Sequence, residues 1–152
     1  MNYENLLLEA DTLNIIVKEL PLQTDDGLCF GNRIAIDKKL ETTAEKACTL
    51  SEELGHFNKT VGDITNQSIL TNKKQEILAR RWGYSRLVRM EDLINAYKHG
   101  CRNRYEISEY LNVTEEFLDD TLNYYRQKHG LCVGIDNYII YFEPTLGILE
   151  IF

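Results

Sequence analysis

Runs of β-branched and aromatic residues lie near the two ends of this sequence, whereas helical periodicity fills its middle. Ile15, Ile16 and Val17 form the first run, residues 28–37 form the second, and residues 131–152 form the third. Such residues fit the pleated surface of a sheet. We therefore expect the first two runs to pair as a small antiparallel sheet, and the third to fold as a terminal β-hairpin around its Pro/Gly turn.

Helices are predicted where apolar residues recur every three or four positions. The first begins near Tyr3, and a central helix begins at the capping box of Thr42 and Glu45 and continues to about Asn58. Further helices are predicted over residues 72–88, 91–99, 105–111 and 114–128. The helix over residues 72–88 is expected to turn its apolar side chains toward a core, namely Ile77, Leu78, Trp82 and Leu87.

The length of 152 residues and the apolar content of 43% suit one compact domain with a small appended lobe. We expect an α+β fold in which residues 1–90 form the core, with the small antiparallel sheet packed on the central helix. Residues 91–152 are expected to form a helical part that carries the terminal hairpin and packs with the core as one unit.

The charge and cysteine content exclude several classes of protein. A net charge of −7 argues against binding nucleic acid through phosphate contacts, which need clustered Lys and Arg. No segment approaches the roughly 20 apolar residues of a membrane span. The four cysteines contain no CxxC pair, so neither a disulfide framework nor a cysteine zinc finger is indicated. We expect a cytoplasmic protein that contacts neither a membrane nor nucleic acid directly.

The central helix contains the motif that points to chemistry, Glu52-Glu53-Leu54-Gly55-His56. Glu52 and His56 are four residues apart, so they lie one above the other on a helix face, where two ligands can share one metal ion. Glu53 lies one residue round from Glu52, in the position where the Glu of an HExxH helix acts as general base. The motif is thus EExxH, with a carboxylate in place of the first imidazole, and a carboxylate is an acceptable zinc ligand.

An exposed pair on a solvated helix face is the simpler interpretation of Glu52 and His56, and such a pair contributes only about 0.2–0.5 kcal/mol. Two observations favour a functional role. Ala44 and Cys48 continue the same row, which makes it less polar than a fully exposed face. Gly55 is the second, because a glycine inside a helix costs about 1 kcal/mol relative to alanine and usually marks close packing or access.

The string KACTLSEELGHFNKTVGDI, followed by KKQEILARRWGYSRLV, resembles the phage and mobile-element branch of the ImmA/IrrE metallopeptidases. The resemblance extends to GLCFGNRIAID, which is similar to the strand that those proteins place beside their cleft, and to the helical stretch NRYEISEYLNVTEEFLDDTLNYY. It implies a zincin-like fold whose core is an active-site helix and a second helix that carries a further acidic ligand.

By position, the resemblance implies that His56 is the histidine ligand, that Glu53 is the general base and that Glu52 occupies the place of the first histidine. Glu76 is the candidate for the acidic ligand on the second helix, and Asp63 is the alternative. The implied ion is zinc, which would polarise the scissile carbonyl and lower the pKa of a bound water toward about 7.

Two functions follow from the resemblance. One is a zinc-dependent endopeptidase that cleaves a protein partner, such as the transcriptional repressor of a phage or mobile element. The other is a weak or inactive zincin-like protein that only binds a regulatory partner, because the extra carboxylate of Glu52 lowers the Lewis acidity of the ion.

Overall fold

A computed structural model describes residues 1–59 and 69–151 of the protein, which form two compact units, Met1–Leu87 and Val88–Phe152. The first unit contains α1 (Tyr3–Thr12), β1 (Ile16–Leu20), β2 (Gly27–Phe30), β3 (Arg33–Asp37), α2 (Thr43–Lys59) and α3 (Ile69–Leu87). The second contains α4 (Met90–Lys98), α5 (Arg104–Leu111), α6 (Glu115–His129), β4 (Cys132–Ile135), β5 (Tyr138–Tyr141) and β6 (Gly147–Glu150). The predicted α+β class is confirmed. None of the described helices has the length and apolar character needed to cross a membrane.

The sheet of the first unit differs from the prediction in its pairing. Residues 28–37 were expected to form one strand, but Gly31, with a φ of +58°, turns the chain inside this run and divides it into β2 and β3. Glycine adopts such a φ without steric cost. The local hairpin places β3 in the centre, in the order β1-β3-β2, so that β1 pairs with β3 in parallel. The predicted antiparallel pairing of β1 was therefore wrong, and β2 is left at the edge.

The predicted central helix is α2, and it begins directly after its predicted capping residue, Thr42. The hydroxyl of Thr42 accepts a hydrogen bond from the backbone N–H of Glu45 at 3.1 Å, and the Glu45 carboxylate accepts one from the N–H of Glu41 at 3.2 Å. The first contact satisfies an N–H group that the first turn of a helix leaves without an intrahelical partner, and the second ties the residue before the cap to that turn. The inner face of the sheet and the apolar sides of α1 and α2 share a core made of Leu6, Ala10, Ile34, Ile36, Ala47, Leu50 and Leu54.

The helices α2 and α3 cross at close range because glycine lies at two of their contact points. A Cβ atom on Gly55 would overlap the backbone carbonyl of Ala79, and one on Gly83 would lie 2.9 Å from the hydroxyl of Ser51. Ser51 and Ala79 are fully buried. The glycine inside α2 therefore meets a packing need, as its position in the sequence indicates.

The predicted core face of α3 is partly wrong. Leu87 is buried, but Ile77 is 48% exposed and Leu78 is 47% exposed. The face that packs on α2 contains Ala79 and Gly83, which are one helical turn apart, so the two bulky residues immediately before Ala79 lie off this face. Small residues, and not the largest apolar ones, face the neighbouring helix here.

In the second unit, the helix ends follow the predicted capping signals. Thr114 accepts a hydrogen bond from the N–H of Phe117 at 3.1 Å at the start of α6, and Gly130 ends that helix with a φ of +81°. The terminal hairpin is present as part of a larger antiparallel sheet of order β4-β5-β6. A further turn at Asp136, with a φ of +51°, produces the additional strand, since aspartate tolerates this conformation.

Candidate metal centre

Three predicted ligands, Glu52 and His56 on α2 and Glu76 on α3, form one cluster. Each offers a ligand atom, and these atoms all lie within 4.8 Å of one another. Nε2 of His56 lies 3.4 Å from Oε1 of Glu76. His56 is only 8% exposed, whereas the carboxylates of Glu52 and Glu76 are partly open to solvent. The cluster therefore has a buried imidazole on its inner side and two accessible carboxylates.

The antiparallel crossing of α2 and α3 brings these side chains together. Ser51 lies against Gly83 and Gly55 lies against Ala79, so a step of four residues forward on α2 corresponds to four residues back on α3. The polar contacts follow the same register, with Glu52 opposite Arg80 and His56 opposite Glu76. Because residues four apart stack on one helix face, the small residues of one row fix the spacing of the polar row beside it.

Glu53 lies on a different side of α2, between the helix and the edge strand. Its side chain is buried, and a Cβ atom on Gly27 of β2 would lie 2.8 Å from the Cγ atom of Glu53. Burial, together with the negative charges of Glu52, Glu76 and Asp25, raises the pKa of Glu53 to about 8. The carboxyl group is therefore buried and close enough to the cluster to interact with the charges of Glu52 and Glu76.

Arg80 lies next to the cluster, although the sequence analysis assigned it no role in the metal site. Its Nε atom lies 3.3 Å from Oε1 of Glu52, within an ion pair between α3 and α2. The available signal in the sequence was spacing, because Arg80 follows Glu76 by four residues, as His56 follows Glu52. Asp63, the alternative acidic ligand, lies outside the described residues, so its role stays a prediction.

The donor set fits a divalent cation. Two carboxylates and one imidazole are all accepted zinc ligands, and three protein ligands leave one position of a tetrahedral site for water. Tetrahedral ligands at about 2.1 Å from an ion are about 3.4 Å apart, and His56 and Glu76 already have a separation of 3.4 Å. The two carboxylates of Glu52 and Glu76 also balance the charge of a divalent ion.

This fold and this cluster together define a zincin-like α+β protein with a candidate metal centre on its central helix. The family model described as Peptidase_M78, IrrE N-terminal-like domain, matches residues 9–123, a segment that includes α2 and α3. The chain therefore belongs to the IrrE N-terminal-like family, the ImmA/IrrE metallopeptidases. Comparisons with curated proteins and with solved structures give no match.

Proposed function

We propose that this protein is a zinc-dependent endopeptidase, with Glu52, His56 and Glu76 as the ligands of the ion and Glu53 as the general base. The observation that carries the proposal is the convergence of the three ligand atoms within 4.8 Å, from two helices, in a chain of a metallopeptidase family. Isolated exposed carboxylates are common on protein surfaces, but a buried histidine between two of them is a more specific arrangement.

The zinc ion, Glu53 and His56 would have different roles in peptide hydrolysis. Zinc, when bound, supplies a Lewis acid and a water of lowered pKa. Glu53 would accept the proton of the attacking water and deliver it to the leaving amine, because its carboxyl group lies close enough to the cluster to interact with the charges of Glu52 and Glu76. His56 would bind the ion in its neutral form through one ring nitrogen.

The exposed edge of strand β2 favours a protein substrate over a small molecule. Among the described residues β2 pairs only with β3, and its Gly27 packs against Glu53. An extended peptide can add to such an edge through main-chain hydrogen bonds, which would bring its backbone close to the general base. By resemblance of the sequence, we propose that the substrate is the transcriptional repressor of a phage or mobile element, cleaved in the cytoplasm.

A second candidate is a zincin-like protein that binds a regulatory partner and cleaves slowly or not at all. Glu52 favours it, because a carboxylate in place of an imidazole adds negative charge at the ion and reduces its Lewis acidity.

The experiment that separates these functions measures zinc content and cleavage of a candidate repressor substrate in the same preparations. The peptidase is expected to hold about one zinc per chain when purified without chelator. Glu53→Gln keeps the shape of the side chain and removes the base, so we expect zinc to be retained while cleavage falls by roughly 10²–10⁴. Cleavage by this variant at the rate of the parent would remove Glu53 as the base, and repressor binding without cleavage by the parent would favour the second candidate.

A further inference from the structure

Arg80 contacts Glu52, the proposed ligand that stands in place of the first histidine of the HExxH motif. Its Nε atom lies 3.3 Å from Oε1 of Glu52, and it follows Glu76 by one turn of α3. The side chains of Arg80 and Glu52 are 57% and 35% exposed, so neither is held in place by burial alone. A partly exposed glutamate has several rotamers, and ordering it on an ion costs conformational entropy.

The contact engages Oε1 of Glu52, and among the described residues no hydrogen bond to its Oε2 atom is found. A carboxylate has two acceptor oxygens, so it can accept a hydrogen bond from a guanidinium group and bind an ion at the same time. A neutral imidazole has one acceptor nitrogen, and a histidine that gave it to the ion would have none left for Arg80. Arg80 is therefore matched to a glutamate at position 52 and would not be matched to a histidine.

We propose that Arg80 is a positioning residue of the metal centre, which orients the carboxylate of Glu52 so that its free oxygen is presented to an ion beside His56 and Glu76. This inference rests on the proposed zinc site. Carboxylate ligands of metal ions are themselves held by hydrogen bonds, and removal of such a partner typically weakens metal binding by about 10–100-fold.

Simple charge repulsion predicts the opposite change in zinc affinity on removal of Arg80. Arg80 carries a positive charge close to the ligands, so its removal would strengthen the binding of a divalent cation if charge were its only effect. The direction of the change in zinc affinity therefore separates orientation of Glu52 from electrostatic repulsion.

The test is a zinc titration against a competing chromophoric chelator, with thermal unfolding of each variant as a check of folding. We expect Arg80→Ala to weaken zinc binding by about 10–100-fold. Arg80→Lys keeps the charge without the planar fork of the guanidinium, so its affinity should lie between those of Arg80→Ala and the parent. Arg86→Ala is the matched control, because Arg86 is also on α3 and pairs with Glu9 of α1 at 2.7 Å. Its zinc affinity should equal that of the parent.

Arg80→Ala in a Glu52→His background tests whether the effect of Arg80 depends on the carboxylate of Glu52. There the imidazole cannot accept from Arg80, and we expect Arg80→Ala to leave zinc affinity unchanged or to raise it. Unchanged or tighter binding by Arg80→Ala in the parent background would overturn the inference, and so would an equal weakening in both backgrounds. A parent and a Glu52→His variant that both fail to bind zinc would instead overturn the proposed function, and this inference with it.

Discussion

The contact between α2 and α3 consists of two neighbouring rows of residues, one of small buried residues and one of polar residues. In the first row, Gly55 and Gly83 lie against Ala79 and Ser51 with no space for a further carbon atom. In the second, Arg80 meets Glu52 at 3.3 Å and His56 meets Glu76 at 3.4 Å, in polar contacts that remain partly open to solvent. The first row determines how closely the helices approach, and that distance brings the proposed ligands of the second row together. A change in the first row should therefore alter metal binding without touching a ligand.

Among changes in the contact between α2 and α3, the largest effect is expected from Gly55→Ala. The added Cβ atom would overlap the backbone carbonyl of Ala79, which cannot rotate away as a side chain can. Overpacking costs about 1–3 kcal/mol, occasionally more, and the gain in helix propensity of about 1 kcal/mol offsets part of it. We expect a net loss of about 2 kcal/mol in the free energy of unfolding, measured by urea denaturation, and weaker zinc binding because α3 moves Glu76 away from His56.

Gly134→Ala is the control for this variant, since a Cβ atom there meets nothing within 4 Å. It should leave the free energy of unfolding within about 0.5 kcal/mol of the parent, the usual range for surface substitutions. If Gly55→Ala matched this control in stability and in zinc affinity, close packing would not set the geometry of the polar row.

A smaller effect is expected from Gly83→Ala. Its nearest neighbour is the hydroxyl oxygen of Ser51 at 2.9 Å, and the backbone of Ser51 lies at 3.3 Å. The tip of a side chain can move more easily than a carbonyl group, so the net loss in the free energy of unfolding should be about 1 kcal/mol or less after the gain in helix propensity. Combination with Ser51→Ala should restore part of that loss, and a loss equal to that of Gly55→Ala would show that both contacts are equally rigid.

The smallest effect is expected on the outer side of α3. Leu78 is 47% exposed, so Leu78→Gln should change the free energy of unfolding by no more than about 0.5 kcal/mol. Leu87→Ala, a buried leucine on the same helix, is the comparison, and it should cost about 2–5 kcal/mol. A large loss for Leu78→Gln in chemical denaturation would mean that this side chain is covered in solution.

The orientation of α3 shows what the sequence could and could not predict. Capping by Thr42 and the stacking of Glu52 over His56 follow from local rules, and both are present. The face of α3 was misassigned because hydrophobic periodicity assumes that the largest apolar residues face the core. Here the approach of two backbones selects small residues, and that selection depends on the partner helix.

The sheet shows the same limit on a larger scale. The β-branched runs located the strands, but the pairing of β1 depends on whether residues 28–37 remain one strand. A single glycine inside the run changes the order of the sheet, since it permits a hairpin that places β3 beside β1. The contact of Arg80 with Glu52 likewise joins positions 28 residues apart and depends on the helix register.

The most direct test of the proposed metal centre is the zinc stoichiometry of four variants, measured by elemental analysis and by competition titration. His56→Ala, Glu52→Gln and Glu76→Gln each remove one proposed ligand, whereas Glu53→Gln changes an adjacent buried glutamate that is not proposed to bind the ion. We expect zinc to be lost from His56→Ala, to bind more weakly to Glu52→Gln and Glu76→Gln, and to remain at about one ion per chain in Glu53→Gln. Full zinc content with unchanged affinity in His56→Ala would contradict the account, because the ion would then be held elsewhere.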